Sequence, residues 1–140
     1  TLLAAPFLAN GTYDSHTIMG VATEDIANGE QGLVTYFGKV RGVNTSGFTE
    51  GSILYASSTV AGGLTATKPD SPNNVISVCA VISAANNGIL MVRPTIEDHW
   101  SAVPATATSV GRKGAVAFDA SYFYVCVATN TWKRTPLTTW

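Results

Sequence analysis

The chain has 140 residues and a mass of 14.6 kDa, enough for one domain with a buried core, or one domain with an appended unit. Apolar residues make up 46%, an ordinary share, whereas charged residues reach only 12% against roughly 25% in an average soluble domain. Net charge is −1 and only Arg112-Lys113 and Lys133-Arg134 place two cations side by side, so there is no basic stripe for a nucleic-acid partner.

So few charges predict that part of the surface is covered by other protein chains. No apolar run reaches the ~18 residues of a membrane helix, so no membrane insertion is expected. The opening Thr1-Leu2-Leu3-Ala4-Ala5-Pro6 has neither an initiator Met nor a basic start, and reads as the interior of a longer protein or as a processed end.

Helical periodicity is nearly absent. Thr23 and Asp25 could cap one turn over residues 23–28, with Gly29 ending it. Elsewhere Gly, Pro, Ser, Thr and Asn interrupt the pattern at short intervals, which is the punctuation of an all-β protein. Residues 33–40 are β-branched and aromatic and predict a strand, with Gly38 marking a bulge. A short apolar strand follows over residues 52–56. Residues 60–73 read as a long surface loop whose path Pro69 and Pro72 fix. Residues 75–82 are apolar almost throughout, a strand with both faces covered. After Asn86-Asn87-Gly88 the strand 89–93 returns, and the Asn-Gly pair predicts the positive φ angles of a tight hairpin turn.

Residues 95–112, rich in Ala, Thr, Ser and Val, read as an extended linker. Beyond it, 115–118 and 122–128 flank a turn at Asp119-Ala120-Ser121, and Trp132-Lys133-Arg134 follows a turn at Asn130. The expected fold is thus all-β: a small antiparallel sandwich or barrel with an N-terminal arm over 1–94, the linker over 95–112, and a C-terminal β-meander over 113–140. A meander of that size is marginal alone in water and must pack on the body or on copies of itself. Period-two spacing predicts that Phe118, Tyr122 and Tyr124 share one face with Phe123 opposite. With Trp132 and Trp140 they form the expected oligomer interface, since burial is the common role of aromatics.

Motifs of chemistry are sparse. Cys79 and Cys126 each sit within an apolar β-like run, without the neighbouring Cys or His of a zinc site, so buried thiols are expected. A disulfide between them is the alternative, and it would imply an oxidising compartment. Gly38-Lys39 lacks the rest of a phosphate loop, and no Gly-x-Ser-x-Gly elbow occurs. Asp14-Ser15-His16 holds the residue types of a hydrolase triad, but neighbours in an extended segment point to opposite faces, so a polar turn is expected. Glu97-Asp98-His99-Trp100 is the densest polar cluster; its spacing is poor for a metal, and Trp100 reads as a packing anchor. No catalytic residue, metal ligand or cofactor site is expected.

Two runs carry a resemblance. Gly51-Ser52-Ile53-Leu54-Tyr55-Ala56-Ser57-Ser58-Thr59-Val60-Ala61-Gly62-Gly63-Leu64-Thr65, continuing to Pro69, Pro72 and Asn73, resembles a segment of β-rich virion proteins of tailed bacteriophages, fibre and appendage proteins in particular. Val116 through Arg134, with its order of Phe118, Tyr122-Phe123-Tyr124, Cys126 and Trp132-Lys133-Arg134, is similar to a C-terminal module that ends many such proteins. Residues 21–43 look loosely like small capsid-decoration proteins.

The resemblance implies a non-enzymatic structural protein on the exterior of a virion: a tail-fibre or appendage subunit, often a homotrimer, bound to other virion proteins and touching a host-surface glycan or protein. Thr59, Lys68, Asp70, Asn73, Asp98, His99 and Trp100 mark the loops expected to meet a receptor. The alternatives are a capsid-decoration or head-fibre protein that clamps the shell, and a carbohydrate-binding or depolymerase module. A depolymerase would need two carboxylates facing each other across a groove.

Overall fold

The computed structural model describes residues 4–70, 73–97 and 101–140. Among the described residues it is all-β, with antiparallel sheets and one short 3-10 turn, Ser15–Thr17. Ten strands follow in chain order: β1 (Val21–Ala22), β2 (Val34–Thr35), β3 (Gly38–Val43), β4 (Ile53–Ala56), β5 (Leu64–Thr65), β6 (Ile76–Ser83), β7 (Gly88–Ile96), β8 (Val116–Phe118), β9 (Tyr122–Ala128) and β10 (Thr131–Pro136). They form a two-stranded ribbon, β1-β2, a five-stranded sheet ordered β3-β7-β6-β4-β5, and a three-stranded meander ordered β10-β9-β8. The five-stranded sheet does not close into a barrel; β3 and β5 are its edges.

Alternation builds the main core. Val40, Leu54, Ala56, Val81, Leu90 and Val92 point to one face and are buried. Each large one is worth ~1.5–3 kcal/mol for leaving water. A register shift between Ser77 and Cys79 lets Val78 and Cys79 both be buried. What covers this face is chiefly the N-terminal arm, through Phe7, Ala9, Ile18 and Val21, together with Phe48 from the β3–β4 loop. The opposite face carries Ile53 and Ile82, both exposed, beside partly exposed Ala80 and Met91. Within the chain, then, β6 has one covered face rather than the two its apolar run predicts.

Buried Asn74 ties the arm down. Its backbone N–H donates to Ala9 O, its Oδ1 accepts from Gly11 N at 2.9 Å, and its Nδ2 donates to Tyr13 O at 3.1 Å. Ala9 N donates in turn to Ser57 O, and Gly62 N to Phe7 O. The arm therefore satisfies its polar backbone while lying over the sheet.

Several local expectations change. No helix forms over 23–28: Thr23 is used across the ribbon instead, its Oγ1 donating to Leu33 O, and beside it Glu24 Oε1 accepts from Leu33 N. The strand expected over 33–40 is two strands in two sheets. Gly38, at φ 132°, forms the junction, and the bulge lies instead between Arg41 and Val43 around Gly42 at φ 80°.

The β6–β7 hairpin forms where expected, but neither Asn86, Asn87 nor Gly88 has a positive φ. Buried Thr45 closes it: Thr45 Oγ1 donates to Ser83 O at 2.7 Å, Thr45 N donates to Ala85 O, and Ala85 N donates back to Thr45 Oγ1. Gly88 is required by space, since a Cβ there would run into Thr45 Oγ1 and Ser83 O.

Candidate functional site

Two surfaces gather the residues singled out by the sequence. The first is a groove of about 340 Å³ at the β5 edge, lined by Ser57, Ser58, Thr59, Val60, Leu64, Thr65, Thr67 and Pro69. Its shape is held from beneath. Ser57 Oγ accepts from Thr59 N and Val60 N, Ser57 N donates to Gly63 O, and Thr65 Oγ1 accepts from Thr67 N. The resulting surface alternates hydroxyls with small apolar patches, chemistry suited to a neutral or polyhydroxylated ligand rather than to a charged centre.

Lys68 stands at the rim and donates to Glu97 Oε2 at 2.8 Å, which joins the loop to the end of β7. That hydrogen bond is the main reason the Lys68 ammonium holds its proton above its ordinary range. Asp70 O accepts from Asn73 N beyond the groove. Of the expected receptor loops, Thr59 lies in the groove, Lys68 at its rim, and Asp70 and Asn73 beyond it. Asp98, His99 and Trp100 lie outside the described residues.

The second surface is the meander. Cross-strand register decides its faces. Ala117 opposes Tyr124 and Tyr124 opposes Arg134, whereas Phe118 opposes Phe123. Phe118 therefore shares a face with Phe123 and not with Tyr122 and Tyr124, because the turn at 119–121 sets the register and parity is not carried across it. The Tyr124 face also holds Ala115, Cys126 and Trp132, and these form a small core of their own.

Residues 104–111 lie against that core as a strap. Trp132 N donates to Ala107 O, Trp132 Nε1 donates to Ser109 O at 3.1 Å, and Gly111 exchanges hydrogen bonds with Asn130. A Cβ on Gly111 would sit 2.6 Å from the indole, so only glycine lets the strap run this close. Tyr124 and Trp132 are thus engaged within the chain. Tyr122 is partly exposed, with the Arg134 guanidinium stacked 4.1 Å from its ring centre. Phe118 and Trp140 stand exposed.

Asp119 organises the β8–β9 turn. One carboxylate oxygen accepts from Ser121 N and Tyr122 N, and the other accepts from Tyr124 Oη at 2.7 Å. The Tyr124 hydroxyl, followed by the two amides, holds the Asp119 carboxyl below the usual range.

The remaining chemistry-bearing groups are structural in their contacts. Asp14 Oδ1 accepts from His16 N and lies 2.9 Å from His16 Nδ1, while Ser15 is buried in the 3-10 turn. The segment is a turn, as expected, and its two ends meet because it is not extended. Cys79 and Cys126 are free, buried thiols in separate cores, and burial pushes the Cys79 thiol up to about 11. Among the described residues no cluster of three or more His, Cys, Asp or Glu could hold a metal. No described helix is long and apolar enough to cross a membrane. Asn74 went unnoticed in the sequence, and nothing there marks the part Thr45 plays in closing the hairpin.

The fold and these surfaces define a small all-β unit with a hydroxyl-lined groove and a strapped terminal meander. Over 58 residues the chain is 45% identical to a capsule K30/K69-specific depolymerase of Klebsiella phage K64-1. That stretch is 41% of this chain and 7% of the phage protein. Over 36 residues it is 53% identical to capsule K30/K69-specific depolymerase 1 of Klebsiella phage K5-2, a stretch that is 26% of this chain and 4% of that protein. No family model matches the chain, and no solved structure matches it. The likeness is thus to short segments of phage proteins.

Proposed function

We propose that this chain is a non-catalytic module of a phage tail appendage, exposed on the virion, which assembles with copies of itself and meets glycan on the host surface. The observation that carries this reading is the segment shared with two capsule-specific phage depolymerases, a small fraction of either protein and so a transferable part rather than a whole enzyme. The groove at 57–69 supplies the glycan contact, with hydroxyls to exchange hydrogen bonds and Val60 and Leu64 beneath the sugar faces. Repetition of the groove in an oligomer would turn weak single contacts into firm attachment.

Its carboxylates support the non-catalytic part. Five of the nine are committed to other contacts: Glu24, Glu50 and Asp119 accept backbone N–H groups, Asp14 is engaged by His16, and Glu97 by Lys68. A glycosidic pair instead needs two carboxyl groups facing across a groove with room for the sugar.

The test is incubation of the chain with purified K30 and K69 capsular polysaccharide, following both retention on immobilised polymer and release of reducing ends. Retention without release is expected. Release of reducing ends at a rate proportional to protein would overturn the non-catalytic assignment, and absence of retention would remove the glycan role.

A further inference from the structure

Among the described residues, exposed apolar side chains concentrate on the β1-β2 ribbon and the link into β3. Leu33 is 71% exposed, Tyr36 63% and Phe37 69%, and Val34 and Met19 stand open beside them. A two-stranded ribbon is marginal in water even with its apolar side chains hidden; here Val21 packs on the main core while Leu33, Val34, Tyr36 and Phe37 are turned outward. The same segment is acidic: Asp14, Glu24, Asp25 and Glu30 occur within the first 38 residues, where there is no lysine or arginine.

The uncovered face of the five-stranded sheet has the opposite character. Ile53, Ala80, Met91 and Lys39 are successive cross-strand partners, so they form one row on that face. Ile82 is exposed there too, and Arg41 and Arg93 fall on the same side by alternation and are exposed. The five strands hold Lys39, Arg41 and Arg93 and no carboxylate. None of these three cations makes an ion pair among the described residues.

From this pairing of an acidic apolar projection with a basic apolar sheet face, we infer that the ribbon of one copy docks on the uncovered sheet face of a second copy. Tyr36 and Phe37 are the anchors over Ile53, Ile82 and Met91, and Asp25 and Glu30 approach the Lys39–Arg41 edge. Two different patches meet, so the contact is heterologous and generates a ring or a filament rather than a two-fold dimer. This rests on the self-assembly proposed above and assigns its interface, which is neither the groove nor the aromatic core of the meander.

The test is native mass by light scattering across a concentration series, with circular dichroism to confirm folding. Tyr36→Ser with Phe37→Ser, and separately Lys39→Glu with Arg41→Glu, should leave the spectrum unchanged and weaken association by roughly tenfold or more, as loss of central anchors does. Asp25→Lys with Glu30→Lys should weaken it likewise. Combining those two reversals with Lys39→Glu and Arg41→Glu in one chain should restore assembly, a recovery that mere damage to the fold would not produce. A wild-type chain that stays monomeric throughout overturns the inference, while retention on capsular polysaccharide judges the glycan reading separately. An oligomer whose mass none of these variants alters also overturns it and moves the interface to the Phe118–Phe123 face.

Discussion

Replacing Asn74 with alanine is expected to free the N-terminal arm from the sheet. The carboxamide is fully buried and holds the arm at two points, accepting from Gly11 N and donating to Tyr13 O. Each hydrogen bond is worth about 1 kcal/mol net, and a partner left unsatisfied in a dry site adds further cost. The total falls at about 2–4 kcal/mol, since both partners are only part-buried and water can rescue some of the loss. For a chain of this length that corresponds to a fall in Tm of about 6–15 °C. Urea unfolding would measure the free energy, and amide exchange at Ala9 and Gly11 would show whether the arm opens ahead of the sheet. Asn86→Ala, on an exposed loop position, is the control and should stay within about 0.5 kcal/mol of wild type. A loss below about 1 kcal/mol at Asn74, well under the sum for two hydrogen bonds, would refute the view that this side chain fastens the arm.

Gly88→Ala should cost about 2–3 kcal/mol, because the added methyl displaces Thr45 from the closure of the hairpin; a shift in urea midpoint with unchanged slope reads it. Asp119 has a folded-state pKa below its ordinary 3.8, so its stabilisation is complete above that value and is lost as pH falls through the lower folded value. Acid titration of near-ultraviolet dichroism from the Tyr122–Tyr124 pair should therefore show a transition below about pH 4 that Asp119→Asn abolishes. The Cys79 thiol, buried and raised to about 11, should resist alkylation at pH 8 in the native protein and react on unfolding; rapid native labelling would contradict its place in the core.

How far the fold was legible depended on whether the information was local. The strands at 53–56, 76–83 and 122–128 carry their apolar and β-branched signal within themselves and emerge close to their expected bounds. Position in a sheet is different. Phe118 was assigned to the wrong face because cross-strand register is set by the Asp119 turn, and Gly38 was read as a bulge because nothing nearby reveals that two sheets meet there. The β6–β7 hairpin was expected for a reason that does not hold: its closure depends on Thr45, some forty residues upstream. At the loop surface, Thr59 and Lys68 were visible as polar loop residues. Their grouping with Ser57 and Thr67 into a groove, and the pairing of Lys68 with Glu97, required the fold. Tyr124 and Trp132 were expected at an oligomer interface; within the chain they lie under a strap that looked like a spacer, since alanine, threonine and serine do not announce what they cover.

That strap bears on how the terminal unit could be exchanged between proteins. A recombination joint placed just before β8 would transfer the three strands but leave behind the backbone that accepts the Trp132 indole N–H, exposing its ring and Tyr124 in the recipient. A joint near Ser101 carries along the segment that lies on them, together with the Ser101 N–H that donates to Val116 O. A segment that begins near Ser101 therefore arrives with its own core already covered, and crossovers among related genes, or grafts made in the laboratory, should be tolerated there and penalised between the strap and β8.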